Sequence, residues 1–150
     1  MRIVAVLVLA FATALPTAAT ATSVDILFQQ FGLFGTWAPD CARAASPANP
    51  HVSITTPSPG VVLESHDIGD RYAINRYSML SAERMSDEQL AVEVIFQPGA
   101  EGEERQKLVF LVRERTRRTL FNQPEGGEVR VKDGIVLSQG SKTPVLHKCE

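Results

Sequence analysis

Residues 90–97 have the sequence LAVEVIFQ, in which the even-numbered residues are all apolar. In an extended chain these side chains fall on one face, so the period of two indicates a strand with one buried face. The next apolar run, KLVFLVR at residues 107–113, is apolar on both faces. A strand of that kind needs cover on both sides.

Similar runs lie before and after this pair and are separated by turns rich in Gly, Pro and Asp. Asp133-Gly134 lies between two alternating runs and is a strong hairpin signal. Residues 81–88 favour either a turn or one loose helical turn. The chain lacks a strand–helix–strand rhythm, so the fold class is all-β, and a barrel or a sandwich fits the pattern. The predicted strands are 51–56, 61–66, 71–79, 90–97, 107–113, 118–123, 128–132, 135–138 and 143–149.

A short amphipathic helix is predicted over residues 24–31. Its apolar residues recur at the i, i+3, i+4 and i+7 positions, which form one helical face. Ser23 is a suitable N-cap, and Gly32 lies where a helix often ends. Because the polar face carries no basic residue, packing on the barrel as a lid or plug is favoured over contact with a membrane surface. We expect this helix to supply the second apolar layer over residues 107–113.

Residues 1–21 have the pattern of a signal peptide. Arg2 precedes an apolar run at residues 3–15, and Ala19-Thr20-Ala21 has the small-x-small pattern of a cleavage site. The run is shorter than the roughly 20 residues that a bilayer core requires. Removal of residues 1–21 leaves residues 22–150 as a single domain without a further membrane-spanning run. The sequence therefore predicts a periplasmic or secreted protein.

The two cysteines, Cys41 and Cys149, lie near the two ends of that domain. In an oxidising compartment we expect them to form a disulfide, the alternative being two buried thiols. A bridge across about 100 residues contributes roughly 4 to 5 kcal/mol in the chain-entropy model. It also brings both ends of the domain together, as a closed barrel requires.

The charge of the mature chain argues against one class of partner. Without Arg2 it has 14 basic and 17 acidic side chains, a net charge of −3. This balance does not favour nucleic-acid binding. Acidic and basic clusters flank residues 107–113, and a strand of this length, roughly 24 Å, would separate them. The clusters are Glu101, Glu103 and Glu104 on one side, and Arg113, Arg115, Arg117 and Arg118 on the other.

The Arg cluster has two interpretations. Arg113, Arg115 and Arg117 would share one face if the strand continued that far, with Arg118 beside them. They would then form a site for an anion, such as a phosphorylated envelope glycolipid or an acidic protein patch. Alternatively, they belong to a solvated loop, in which water and salt screen their charges.

Catalytic, metal and cofactor sites have little support. The cysteines are expected to be oxidised, the chain has no Gly-x-Ser-x-Gly motif, and no zinc-type spacing occurs. His66, Asp67 and Asp70 resemble a metal or acid/base cluster in composition, but turns are rich in such residues for backbone reasons. The sequence therefore predicts no catalytic residue, no metal and no cofactor.

Gly35-Thr36-Trp37 resembles the start of the first strand in lipocalins and avidins. This resemblance implies an up-and-down barrel with the Trp packed near one end. The longer string Gly35–Cys41, together with Cys149, resembles a group of small secreted proteins of Gram-negative bacteria. That resemblance implies a periplasmic location and does not point to any particular activity. We therefore predict a single antiparallel up-and-down barrel of about eight or nine strands, lipocalin-like, with a short N-terminal helix.

The predicted function is that of an exported binding or interaction module. Its expected partner is a small anionic or lipidic envelope ligand, taken up in the barrel or at a basic mouth. One alternative is an inhibitor or docking partner of another envelope protein, and a second is a hydrolase. An open barrel interior would favour the first, a filled interior with a protruding loop the second, and a cleft with His, Asp and Ser the third. The sequence does not indicate an oligomeric state.

The export signal predicts where the mature chain begins. Cleavage after Ala21 gives a protein that starts at Thr22. N-terminal sequencing of the exported protein checks this, and material that still begins at Met1 would contradict it.

Overall fold

A computed structural model describes residues 22–149, so the predicted signal peptide lies outside the described residues. This part of the chain contains one helix and eleven strands. The first six elements are α1 (Val24–Gln30), β1 (Gly35–Ala38), β2 (His51–Ser58), β3 (Val61–Asp67), β4 (Asn75–Arg84) and β5 (Gln89–Phe96). The others are β6 (Glu104–Arg113), β7 (Thr116–Pro124), β8 (Val131–Lys132), β9 (Ile135–Val136), β10 (Ser141–Lys142) and β11 (Leu146–Lys148).

Eight of the strands close into an antiparallel barrel. Strands β1 to β7 pair in sequence, and β11 returns to lie between β7 and β1. Leu146 of β11 is opposite Arg117 of β7, and Lys148 is opposite Trp37 of β1. The predicted all-β barrel with a short N-terminal helix is therefore confirmed.

Residues 125–145 leave the barrel between β7 and β11, and we call them the excursion. It contains β8, β9 and β10, and Val131 of β8 pairs with Asn122 at the end of β7. Asp133 and Gly134 both have positive φ angles, 52° and 73°. These angles suit the two central residues of a type I′ turn, and the predicted hairpin between β8 and β9 is confirmed.

The two ends of the barrel differ. Helix α1 lies at the end that carries the turns β2–β3, β4–β5 and β6–β7, which we call the helix end. Asp25 Oδ2 accepts a hydrogen bond of 2.9 Å from the Gly60 amide in the first of these turns. The other end, the loop end, carries the longer segments 39–50, 68–74 and 97–103 and the excursion.

Apolar side chains fill the helix end. Phe28 and Leu33 are fully buried in the same core cluster as Trp37. The indole Nε1 of Trp37 donates a hydrogen bond of 2.8 Å to the Leu33 carbonyl, so the one polar atom of this ring is satisfied. Gly32 has a φ of 64° and ends the helix in the left-handed conformation that favours glycine. The prediction that α1 acts as a plug is confirmed.

Two sequence predictions need correction. Helix α1 packs on β3 and β4 and does not form a layer over residues 107–113. The outward-facing side chains of β6 are instead covered by their neighbours on the adjacent strand: Val109 lies opposite Phe121 of β7, and both are half-buried.

The strand predicted at 71–79 begins only at Asn75, and it continues through a bulge after Met79 to Arg84. The turn predicted within 81–88 is correspondingly shorter.

The disulfide between Cys41 and Cys149 is present, with a Cα–Cα distance of 5.5 Å, which confirms the predicted pairing. It fastens the residue after β11 to the loop that follows β1. Within residues 22–149 no helix has the length and apolarity needed to cross a bilayer.

The plugged end predicts a large loss of stability when charge is introduced there. Phe28→Asp places an unpaired carboxylate among fully buried side chains, so we expect the free energy of unfolding to fall by about 3 kcal/mol or more. Ile26→Asp is the matched control, since Ile26 lies on the same helix and is 46% exposed. Chemical denaturation measures both variants, and equal effects would contradict the plug.

Candidate functional site

The inward face of β3 changes from apolar to polar along its length. Val62, Glu64 and His66 are the successive side chains on this face, and Glu64 is only 4% exposed. A carboxylate inside a β-barrel is costly unless it is paired. Its partner comes from the opposite wall.

Arg117 of β7 pairs with Glu64 across the barrel interior. Its Nη1 and Nη2 donate hydrogen bonds of 2.9 and 3.0 Å to the two carboxylate oxygens. Arg117 is 3% exposed, and its guanidinium lies 4.5 Å from the centre of the Phe110 ring. Strands β3 and β7 are four strands apart in the eight-stranded barrel, so the pair connects opposite walls.

His66 and Tyr77 continue this polar group toward the loop end. His66 Nε2 lies 2.6 Å from Glu64 Oε1, and its ring centre is 4.9 Å from that of Tyr77. Because a carboxylate can only accept, Nε2 is the donor in this contact. The His66 side chain keeps 25% of its surface exposed, so the group reaches solvent.

Burial and charge set the protonation of this group. Burial alone would raise the pKa of Glu64, but the Arg117 charge and the His66 hydrogen bond outweigh it and lower the pKa to about 2. Burial, with the charge of Glu64, raises the pKa of Tyr77 to about 12. At neutral pH the carboxyl group is therefore ionised and the phenol is protonated.

A cavity of about 220 Å³ lies beside the ion pair, on the side of the loop end. Its wall combines core residues of the barrel with residues of the excursion. The apolar part of the wall includes Val52, Leu108, Phe110, Val131 and Leu146. The polar part includes Glu64, His66, Tyr77, Arg117, Arg118, Thr119, Asn122 and Thr143.

A chain of hydrogen bonds orients one polar wall residue. Arg130 forms two bonds of 2.8 Å with Glu104, and this lowers the pKa of the Glu104 carboxyl. Glu104 Oε1 accepts from Gln106 Nε2 at 2.6 Å, and Gln106 Oε1 accepts from Asn122 Nδ2 at 2.8 Å. Asn122 Oδ1 is buried and, within residues 22–149, has no hydrogen-bond partner.

The structure distributes the four predicted arginines over different environments. The strand does not continue past Arg113, because the chain turns at Glu114, whose φ is 51°. Arg113 and Arg117 therefore lie on different strands, and the shared face predicted for them is wrong. The exposed Arg113 pairs with Glu88 at 2.7 Å, and Arg115 donates to the Lys148 carbonyl at 3.1 Å.

Arg117 and Arg118 are the two arginines of this cluster that line the cavity. Arg118 Nη2 donates to the Gly134 carbonyl at 2.8 Å and to Thr143 Oγ1 at 3.2 Å, which ties β7 to the excursion. Glu104 and Arg113 are the two ends of β6. Arg117 and Arg118 lie within β7, however, so the predicted basic cluster does not stay together at one end of the barrel. The β6–β7 turn, which carries Arg113 and Arg115, lies at the helix end, away from the cavity.

His66, Asp67 and Asp70, which resemble a metal or acid/base cluster in the sequence, do not come together as one group in the structure. Asp67 Oδ1 accepts a hydrogen bond from the Gly69 amide at 2.8 Å, as expected for a turn. His66 instead contacts Glu64 inside the barrel. In the part of the chain that the structure describes, no three His, Cys, Asp or Glu residues are placed to hold a metal ion.

Glu64, Tyr77 and Asn122 belong to the site but were not predicted from the sequence. For Glu64 the alternation gave no clear inward signal, because Val61 and Leu63 make the opposite face of the strand at least as apolar, although both are exposed in the structure. Asn122 carried no such signal, because a bulge between Val109 and Phe110 shifts its register with β6.

An eight-stranded β-barrel has an interior that side chains can fill or that can hold one small ligand. Comparison with protein-family models, curated proteins and solved structures finds no match to this chain.

The ion pair predicts an asymmetric response to mutation. Glu64→Gln leaves the Arg117 charge buried without its partner, so we expect a loss of about 3 to 5 kcal/mol in unfolding free energy. Glu64→Leu combined with Arg117→Met should lose less than Glu64→Gln, because no charge remains buried. Glu88→Gln, which breaks the exposed pair with Arg113, should cost under about 1 kcal/mol. Urea denaturation measures all three, and equal losses for Glu88→Gln and Glu64→Gln would contradict this assignment.

The pKa of Glu64 predicts destabilisation by acid. Its value in the folded protein, about 2, lies below the ordinary 4.5. The resulting stabilisation is complete above about pH 4.5 and is lost as the pH falls toward 2, by about 3 kcal/mol in all. Denaturation curves at several pH values should show this fall, and the Glu64→Gln variant should show a shallower one. An equally steep fall in the variant would assign the effect to other carboxyl groups.

Proposed function

We propose that the protein is an exported binding protein that holds a small molecule in the cavity at the loop end of its barrel. The observation that carries the proposal is the cavity itself, which adjoins a buried, fully hydrogen-bonded ion pair. One half of the barrel is packed with apolar side chains, whereas the other half keeps about 220 Å³ of space.

The composition of the cavity wall supports binding. Ligand sites usually combine apolar walls with a few placed polar groups and residues of shifted pKa. Here the apolar part is formed by core residues such as Leu108 and Phe110, and the polar part includes Tyr77 and Asn122. The pKa values of Glu64 and Tyr77 are both shifted.

The cavity volume favours a small ligand over a lipid. Pockets for drug-sized ligands usually have volumes of about 300 Å³ or more. A cavity of about 220 Å³ falls below that range, whereas one of about 150 Å³ is enough for benzene. Of the two ligands expected from the sequence, a small molecule or a lipid, the small molecule therefore fits the cavity better.

Export supports the same proposal. The signal-peptide pattern at residues 1–21 and the disulfide Cys41–Cys149 fit an oxidising compartment. A small exported barrel would meet its ligand in the periplasm or outside the cell.

A second candidate function is docking to another envelope protein through the loop end. Four large apolar side chains are exposed there, two on the segment 68–74 and two on the excursion. They are Tyr72 at 55%, Ile74 at 45%, Leu137 at 51% and Val145 at 43% exposure. The cavity is nevertheless the stronger feature, because it has a formed wall.

The proposal predicts a ligand that is retained on purification. Native mass spectrometry of the protein isolated from its own compartment should show an added small mass. Val131→Phe fills the cavity from the excursion and should abolish that mass, at a cost of about 1 to 3 kcal/mol in stability. Val61→Phe is the matched control, because Val61 is 39% exposed at the helix end.

Two results would contradict the proposal. One is an added mass that is retained equally by Val131→Phe and Val61→Phe, which would place the ligand elsewhere. The other is a bare protein mass together with cavity signals in the NMR spectrum that do not respond to small ring compounds. An added mass the size of a protein would favour docking instead.

A further inference from the structure

Two polar groups of the cavity wall have no protein partner. The Tyr77 hydroxyl makes no hydrogen bond to another residue within 22–149, although Tyr77 lines the cavity. Asn122 lines the same cavity, and its Oδ1 is a buried acceptor without a partner. For the buried Asn122 Oδ1 this lack of a partner carries a free-energy cost, which a bound ligand can remove. The Tyr77 hydroxyl is accessible to water instead, which a ligand group would have to replace.

The hydrogen-bond chain fixes which amide atom of Asn122 is unpartnered. Glu104 is ionised and can only accept, so the Gln106 atom that contacts it must be the nitrogen. The Gln106 oxygen then faces Asn122 and must receive its Nδ2. An exchange of the oxygen and nitrogen of Asn122 would break this chain, so the unpartnered atom is an acceptor.

The Tyr77 hydroxyl complements this acceptor. Since the pKa of Tyr77 is raised to about 12, its phenol keeps its proton at all physiological pH values and can both donate and accept. The charged groups beside it, Glu64 and Arg117, already satisfy each other with two hydrogen bonds. The cavity wall therefore offers a ligand the Tyr77 hydroxyl directly, and it offers Asn122 Oδ1, which is buried, after a small shift of the side chains around it. No unpaired buried carboxylate faces the ligand.

We infer that the ligand is a small, mostly apolar ring molecule with a hydroxyl or primary amide group, which the Tyr77 hydroxyl and Asn122 Oδ1 bind. Such a group is both a donor and an acceptor, as the two wall positions require. The volume of about 220 Å³ accommodates one ring. This inference rests on the proposed function, since it specifies the ligand of the same cavity.

Phenol and fluorobenzene are the probes that test it, because they have similar size and only phenol has a donor. A purely apolar cavity prefers fluorobenzene, since phenol loses its hydrogen bonds to water on entry. If the two wall groups bind the hydroxyl, phenol should bind about five- to tenfold more tightly. Titration of the exported, disulfide-bonded protein followed by ¹H–¹⁵N NMR measures both affinities and shows whether His66 and Asn122 signals move.

Two variants assign the preference to the wall groups. Tyr77→Phe removes only a hydroxyl without a protein partner, so the fold should be unaffected and the preference for phenol should disappear or reverse. Tyr72→Phe is the matched control, because Tyr72 is 55% exposed and lies outside the cavity. Asn122→Leu should also abolish the preference, although the loss of its bond to Gln106 makes it the less conservative variant.

The outcomes separate this inference from the proposed function. Tighter binding of phenol that is lost in Tyr77→Phe and kept in Tyr72→Phe supports both. Equal or tighter binding of fluorobenzene to the unaltered protein overturns the inference and leaves the cavity as an apolar binding site. A preference for phenol that survives in Tyr77→Phe and Asn122→Leu also overturns it. If neither probe binds, the inference is overturned, and if the isolated protein also carries no added mass, the proposed function itself is wrong.

Discussion

The bidentate pair between Glu64 and Arg117 is the contact on which the interior of this barrel depends. It joins opposite walls, and each charge is removed from water only because the other is in place. The Phe110 ring beneath the guanidinium and His66 beside the carboxylate complete its surroundings. Apolar side chains could not fill this part of the interior without displacing the pair. The pair therefore separates a packed half, plugged by α1, from a half that retains a cavity.

Much of the fold could be predicted from local sequence patterns. The alternation at residues 90–97 requires an extended chain with one buried face, and β5 has that form. The Asp133-Gly134 dipeptide fixes a tight hairpin because both residues adopt positive φ. The two cysteines fix the proximity of the chain ends. Each of these signals lies in a short stretch or in a covalent bond, and so needs no knowledge of distant neighbours.

The errors arose where distant neighbours determine the structure. Tyr72 and Ile74 alternate like strand residues, but β4 pairs with β3 only from Asn75 onward, so they remain exposed. The run of arginines resembles a solvated turn, and the turn at 114–115 places Arg117 opposite the buried Val112, on the inward face. Because a shift of one residue reverses the face of every side chain in a strand, the sequence alone did not distinguish an inward Arg117 from an outward one.

The position of β11 also determines when the barrel can form. Strands β1 and β7 are held together only through residues 146–148, so both remain open edges until that part of the chain has been synthesised. Contacts between β1 and β11 span more than a hundred residues, and such distant pairings form slowly compared with hairpins. The sheet from β1 to β7 can assemble earlier, but its unpaired edges invite association with other chains. Closure of this barrel is therefore a late, whole-chain event, and the newly made protein is exposed to misassembly until its last strand is in place.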